Sequence, residues 1–95
     1  MALEAMPELR EKLSPETINK HRALASLIEE LEAVDWYMQR ADACDNPTLK
    51  EIMAHNRDEE LEHAAMLIEW LRRNDKAFEK ELKDYLFTDK EIGHH

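Results

Sequence analysis

Three side chains in this sequence have the types and spacing of metal ligands. Glu60 and His63 are three residues apart, which places them on adjacent turns of one side of a predicted helix. Glu30 lies on the preceding predicted helix, on the same side as Leu27 and Val34. In di-metal sites of four-helix bundles, two helices each provide a Glu, and the other two each provide a Glu followed three residues later by a His. This chain has one such Glu and one such Glu–His pair. The sequence therefore predicts half of a di-metal site, which a second copy of the chain would complete.

The predicted ligand set is rich in oxygen and has one imidazole per chain. It suits iron or manganese, and it lacks the thiolates typical of structural zinc and iron–sulfur sites. We expect ferrous iron, because two irons bridged by glutamates could each pass an electron to dioxygen and become ferric, which is ferroxidase chemistry.

Two alternatives remain open at this point. Glu60 and His63 could form buried hydrogen bonds in a helical oligomerisation or adaptor module that works without metal. A rubrerythrin-like peroxidase could also use a di-iron carboxylate site, although the chain lacks the rubredoxin-type cysteines that would supply its electrons.

The composition indicates one small acidic domain. The chain has 95 residues, a formal net charge of -9 and one Gly, and a helical chain of this size commonly gains stability by forming oligomers. The acidic surface disfavours nucleic acid and anionic membranes as partners. No stretch approaches the ~20 apolar residues that span a bilayer, and we find no signal peptide. The single cysteine, Cys44, predicts no disulfide framework and is consistent with the cytoplasm.

Cap and proline signals predict two long helices and one short helix. Ser14 and Pro15 form a helix start, and apolar residues then recur every three or four positions. Asn46 and Pro47 repeat the signal and begin a second helix that runs to about position 74. Asp75 is the predicted cap of a shorter helix through about position 86. The predicted fold is all-α, an antiparallel two-helix hairpin plus a short C-terminal helix.

An apolar stripe on the second helix is predicted to be buried. It consists of Leu49, Ile52, Met53, Leu67, Trp70 and Leu71. Asn56, Glu60 and His63 continue this stripe. Polar side chains inside an apolar stripe destabilise a fold unless they have partners, and metal ligation would provide them.

The chain is predicted to consist of one domain and two flanks. Residues 1–13 form an N-terminal arm whose order the sequence leaves open, residues 14–88 form the helical domain, and residues 89–95 form a tail. We interpret Gly93, His94 and His95 as the start of a purification tag and exclude them from the site.

Four side chains near the predicted ligands have less specific signals. Tyr37 could hydrogen-bond a ligand or act as a redox-active phenol, and a core tyrosine fits the pattern equally. Trp36 is most simply a packing or interface anchor. Glu29 and Glu32 could flank an entrance to the site or belong to an exposed charged surface.

Several runs of sequence closely resemble encapsulated ferritins. These are residues 29–40 (EELEAVDWYMQR), 55–66 (HNRDEELEHAAM), 69–73 (EWLRR) and 85–88 (YLFT). The resemblance covers most of the chain from about position 15 to 88. It implies a hairpin that forms the ferritin-like four-helix bundle by dimerisation. Dimers would then assemble into a ring, expected to be decameric, although the sequence itself does not determine the ring size.

By this resemblance, the three predicted ligands are the ferroxidase ligands of the family. Glu30, Glu60 and His63 would hold two iron ions between subunits, and Tyr37 corresponds to a nearby tyrosine that we include among the catalytic candidates. None of these positions is substituted in this chain.

The resemblance also implies an entry route and a compartment. Glu29 and Glu32 correspond to an outer metal-attracting site, and Trp36 corresponds to a residue beside the route inwards. The family oxidises Fe(II) but encloses no mineral itself, so the expected location is the lumen of an encapsulin nanocompartment in the cytoplasm, whose shell stores the ferric product. In that family, delivery to the shell normally needs a C-terminal targeting peptide.

Overall fold

Three α-helices make up most of the chain. The computed structural model describes residues 6–93. α1 spans Pro15–Ala43, α2 spans Pro47–Asn74 and α3 spans Lys76–Tyr85, and a short 3₁₀ helix at Arg10–Lys12 precedes them. Residues 6–93 contain no strand. The predicted all-α class, with a long hairpin and a short third helix, is confirmed.

Each α-helix begins at the predicted cap. Ser14, Asn46 and Asp75 each accept a hydrogen bond from the backbone N–H three residues later, at 3.1, 3.0 and 3.0 Å. Pro15 and Pro47 occupy the first helical positions of α1 and α2, where the missing N–H leaves no bond unmade. These local signals explain why the helix boundaries could be predicted closely.

A small apolar core holds the hairpin together. Residues 44–46 connect α1 to α2, and the short connection makes the two helices antiparallel neighbours. Among the described residues, the buried hydrophobic side chains are Ala23, Leu27, Ala64 and Leu71. Leu67, Ile68 and Phe78 pack against this cluster, and Phe78 brings α3 into the core.

Ion pairs fix α3 against the hairpin. Arg72 on α2 binds Glu69 through two hydrogen bonds of 2.7 Å and reaches Glu79 on α3 at 2.6 Å. Lys20 on α1 lies 3.5 Å from Asp75, the capping residue of α3. The orientation of the third helix therefore depends on charge as well as on apolar packing.

Much of the predicted buried stripe is exposed in the single chain. Of its six residues only Leu71 is buried, whereas Leu49, Ile52 and Trp70 are 46%, 49% and 38% exposed. The prediction of burial is wrong for these three residues in the single chain. The physical reason is that α1 and α3 cover only part of the circumference of α2.

The flanks of the helical domain are described in part. Residues 1–5 of the predicted arm and His94 and His95 of the predicted tag lie outside the described residues. The division into arm, domain and tail stays a prediction. No helix within residues 6–93 combines the length and the apolar character needed to cross a membrane.

The Glu69 ion pairs predict a pH dependence of stability. Hydrogen bonds from Arg72 and Arg73 lower the pKa of Glu69 from its ordinary 4.5 to about 2. A carboxyl group with a lowered pKa in the folded state stabilises the fold above its ordinary pKa, and this contribution disappears as the pH falls from about 4.5 towards 2. We expect Glu69→Gln to show a smaller loss of unfolding free energy across this window than wild type, as measured by urea denaturation.

The matched control is Glu62→Gln, because Glu62 is an exposed carboxylate of α2 without an ion pair in the described part of the chain. It should keep the wild-type pH dependence. Identical pH dependence in wild type and Glu69→Gln would contradict the interpretation.

Candidate metal centre

The register of the hairpin brings the predicted ligands to the same level. Glu30 lies 13 residues before the last residue of α1, and Glu60 lies 13 residues after the first residue of α2. Equal distances from a short turn place the two residues opposite each other in an antiparallel pair. His63 follows one turn later on the side of Glu60. Both helices are uninterrupted at this level, so the site is built on rigid elements.

The ligand atoms of Glu30, Glu60 and His63 converge, and we call these three residues the triad. One ligand atom from each lies within 4.8 Å of the others. His63 Nδ1 is 3.4 Å from Glu30 Oε2 and 3.6 Å from Glu60 Oε2. Metal–ligand bonds of about 2.0–2.2 Å separate neighbouring donors by about 3 to 3.5 Å, so this spacing needs only small adjustments to hold one ion. Within residues 6–93, no other three His, Cys, Asp or Glu residues converge in this way.

One oxygen of the triad is buried without a donor. Glu30 Oε2 is inaccessible to solvent and has no hydrogen-bond partner within residues 6–93, and His63 Nδ1 lies 3.4 Å from it without forming a hydrogen bond. A buried carboxylate oxygen without a partner is costly. A cation beside this oxygen would remove that cost, so the local chemistry fits a metal ion.

The triad is half-buried and lies beside an uncovered surface. The side chains of Glu30 and Glu60 are 25% and 23% exposed, and that of His63 is 42% exposed. Met66 and Trp70 follow His63 on α2 at intervals of three and four residues, and both are exposed. The open side of the triad therefore adjoins an apolar helical surface.

The other predicted site residues do not join the triad. Tyr37 lies two turns after Glu30 and is half-buried, and its ring lies next to Arg40. Glu29 and Trp36 are exposed and Glu32 is half-buried. Their roles in entry or catalysis stay predictions.

Two features of this region were missed by the sequence analysis. The guanidinium carbon of Arg40 lies 5.9 Å from the centre of the Trp36 ring and 5.5 Å from that of Tyr37, and the i, i+4 and i, i+3 spacing was the available signal. His55 Nε2 lies 3.3 Å from Glu59 Oε1 in an exposed pair on α2. This pair lies outside the triad.

Comparison with known proteins identifies the family of this chain. The model of the EncFtn-like family matches residues 5–89. The encapsulated ferritin-like protein of Rhodospirillum rubrum is 62% identical over 79 residues, covering 83% of this chain and 56% of that protein. The ferritin-like protein of Thermotoga maritima is 59% identical over 71 residues, covering 75% of this chain and 62% of that protein. The chain thus spans less than two thirds of the length of these relatives.

A shorter match and a solved structure agree with this assignment. The encapsulin nanocompartment cargo protein EncC of Myxococcus xanthus is 46% identical over 46 residues, covering 48% of this chain and 35% of that protein. The crystal structure of protein ne0167 from Nitrosomonas europaea superposes with a TM-score of 0.91 at 63% identity, covering 96% of this chain and 100% of that one. Because the family model matches residues 5–89 of this chain, the chain belongs to the encapsulated ferritin-like (EncFtn-like) family.

Proposed function

We propose that this protein is a ferroxidase, which oxidises Fe(II) to Fe(III) at a di-iron centre formed between two subunits. The observation that carries the proposal is the buried Glu30 Oε2, which has no hydrogen-bond donor in the described part of the chain and lies beside His63 and Glu60. Membership of the encapsulated ferritin-like family supports an iron-handling role.

The donor set of the triad favours iron as the substrate. Two carboxylates and one imidazole offer hard oxygen donors and one nitrogen donor, which suit iron or manganese better than the soft metals that thiolates select. The one free cysteine, Cys44, lies at the end of α1, far along the helix from Glu30. Anionic oxygen ligands also stabilise the higher charge of Fe(III) relative to Fe(II), so they favour loss of an electron from the bound metal.

The same donors argue against a purely structural role for the triad. In a metal-independent adaptor, Glu30, Glu60 and His63 would be expected to satisfy one another by hydrogen bonds. Glu30 Oε2 instead has no hydrogen-bond donor among the described residues 6–93. This difference favours metal binding over the adaptor alternative.

Two uncovered apolar stripes support dimerisation. On α1 the stripe contains Leu24, Ile28, Leu31 and Met38, and on α2 it contains Ile52, Met66 and Trp70, all exposed. Within each stripe the residues are separated by three or four positions, or by whole numbers of such steps. This spacing is typical of helices that pack in bundles and coiled coils. Exposed apolar surface of this extent marks an interaction site. Pairing with a second copy would convert two hairpins into one four-helix bundle.

Dimerisation would also complete the metal centre. His63 shares its side of α2 with Met66 and Trp70, so a partner packed on that stripe would approach the open side of the triad. Two triads supply four carboxylates and two imidazoles, the complement of a di-iron bundle. Glu30, Glu60 and His63 would hold the two irons. Two Fe(II) would each give one electron to the same dioxygen molecule, which takes up two protons and leaves as hydrogen peroxide, so that two Fe(III) are formed. Tyr37 would lie close to the ligands as a catalytic side chain.

Entry of Fe(II) is proposed to use the acidic side of α1. Glu29 and Glu32 have no ion pair with any residue in the range 6–93, so their charges are free to attract cations. Trp36 lies one turn beyond Glu32 on the same side of the helix. In this proposal the two glutamates form an outer site, and Trp36 lines the route from it.

Encapsulin is the proposed partner in iron storage. The protein would assemble as dimers and then as a ring, expected to be decameric, in the lumen of an encapsulin nanocompartment in the cytoplasm. Support comes from the naming of the Myxococcus xanthus relative as an encapsulin nanocompartment cargo protein and of the Rhodospirillum rubrum relative as an encapsulated protein.

Glu60→Gln is expected to abolish rapid Fe(II) oxidation. The substitution keeps the size of the side chain and removes the negative charge that binds the metal. Stopped-flow absorbance of Fe(III) formation in air should show a loss of at least about tenfold, because a lost ligand also misplaces the remaining donors. Glu62→Gln changes an exposed carboxylate two residues away, and it should retain the wild-type rate. An unchanged rate in Glu60→Gln would exclude Glu60 as a ligand.

The choice of oxidant separates a ferroxidase from a rubrerythrin-like peroxidase. We expect the loaded protein to be oxidised rapidly by dioxygen. Anaerobic protein carrying Fe(II) should be mixed with matched concentrations of dioxygen and of hydrogen peroxide, and the two rates compared. A much faster reaction with peroxide would favour the peroxidase alternative.

A further inference from the structure

Arg40 connects two sides of α1 that bear predicted functional residues. Glu29, Glu32, Trp36 and Arg40 follow one another at intervals of three, four and four residues, so they share one stripe. Tyr37 lies seven residues after Glu30 and shares the neighbouring stripe with it. The guanidinium of Arg40 contacts the Trp36 ring on the first stripe and the Tyr37 ring on the second.

The positively charged guanidinium of Arg40 interacts with these two rings. The two contact distances of 5.9 and 5.5 Å are within the range of cation–π attraction. Within residues 6–93, Arg40 makes no ion pair with a carboxylate, although it is the only Lys or Arg from Glu29 to Ala43. The backbone of Arg40 is also fixed, because its carbonyl accepts a hydrogen bond from the backbone N–H of Cys44 at 3.1 Å. A planar guanidinium held in this way can restrict both rings.

We propose that Arg40 is a positioning residue, which orients Trp36 beside the acidic stripe and Tyr37 on the stripe of Glu30 by binding both rings at once. This inference rests on the proposed ferroxidase function and adds Arg40 to the residues on which the reaction depends. Because one side chain holds both rings, the geometry of the entry route and that of the phenol are coupled. Loss of the guanidinium releases both rings without removing a metal ligand.

The first test reads ring position directly. Trp70→Phe leaves Trp36 as the sole tryptophan, and in this background Arg40→Met should lower the fluorescence anisotropy of Trp36 and increase its quenching by acrylamide. Arg40→Lys retains the charge but loses the planar group, and it should give intermediate values. Identical Trp36 anisotropy and acrylamide quenching in the Trp70→Phe protein with and without Arg40→Met would overturn the proposal.

The second test reads the consequence for Fe(II) oxidation. Arg40→Met should lower kcat/KM by about two- to fivefold, with the number of bound Fe(II) ions unchanged, and Arg40→Lys should recover part of the loss. Arg22→Met is the matched control, because Arg22 is an exposed arginine of α1 whose side chain, within residues 6–93, hydrogen-bonds only Asn19. It should oxidise Fe(II) as wild type does.

Two kinetic outcomes would refute the positioning role. A higher kcat/KM in Arg40→Met would mean that Arg40 acts only by repelling cations. Equal rates in Arg40→Met and Arg22→Met would mean that ring position has no effect on the reaction. If wild type itself fails to oxidise Fe(II), the proposed function fails, and the fluorescence comparison still decides whether Arg40 orients the rings. Each variant is compared at the wild-type helix content and oligomeric state.

Discussion

Two helices packed against each other can bury only one side of each, and the rest of this structure depends on that constraint. The hairpin uses its shared side for a small core in which Ala64 and Leu71 of α2 meet Ala23 and Leu27 of α1. Many other apolar side chains of both helices are exposed, among them Leu24 and Ile28 on α1 and Ile52 and Met66 on α2. The triad lies at the border between these regions, with the buried Glu30 Oε2 facing inwards and the half-exposed His63 beside the open stripe. Proposed dimerisation and proposed metal binding therefore concern the same surface.

Charged residues have different roles at the α3 end of the hairpin and near the triad. The basic residues Arg72 and Lys20 form ion pairs that orient α3, so they contribute to the fold at the end of the hairpin away from the turn. On α1, Glu29 and Glu32 have no such partners within the described residues, which leaves their negative charges unpaired at the proposed entry site for Fe(II). Arg40 does not reduce this effect by pairing with an acid, because its guanidinium lies against two rings.

Local signals made the fold predictable, whereas side-chain environments required the structure. Ser14, Asn46 and Asp75 are adjacent in sequence to the helices they cap, so each boundary could be read from a few residues. The convergence of the triad was also predictable, because a short turn between helices of nearly equal length places Glu30 opposite Glu60. The exposure of Ile52 and Trp70 was not, since periodicity identifies an apolar side but not whether the chain itself covers it. The Arg72 ion pairs and the Arg40 ring contacts depend on rotamers, which the sequence does not specify.

The most direct test of the shared centre is native mass spectrometry of the protein titrated anaerobically with Fe(II), counting metal ions in each oligomeric species. We expect two irons per dimer, and multiples of two in larger assemblies, with both lost in Glu60→Gln. A single iron retained by each isolated subunit, or no specific iron in any species, would contradict a di-iron centre built from two triads.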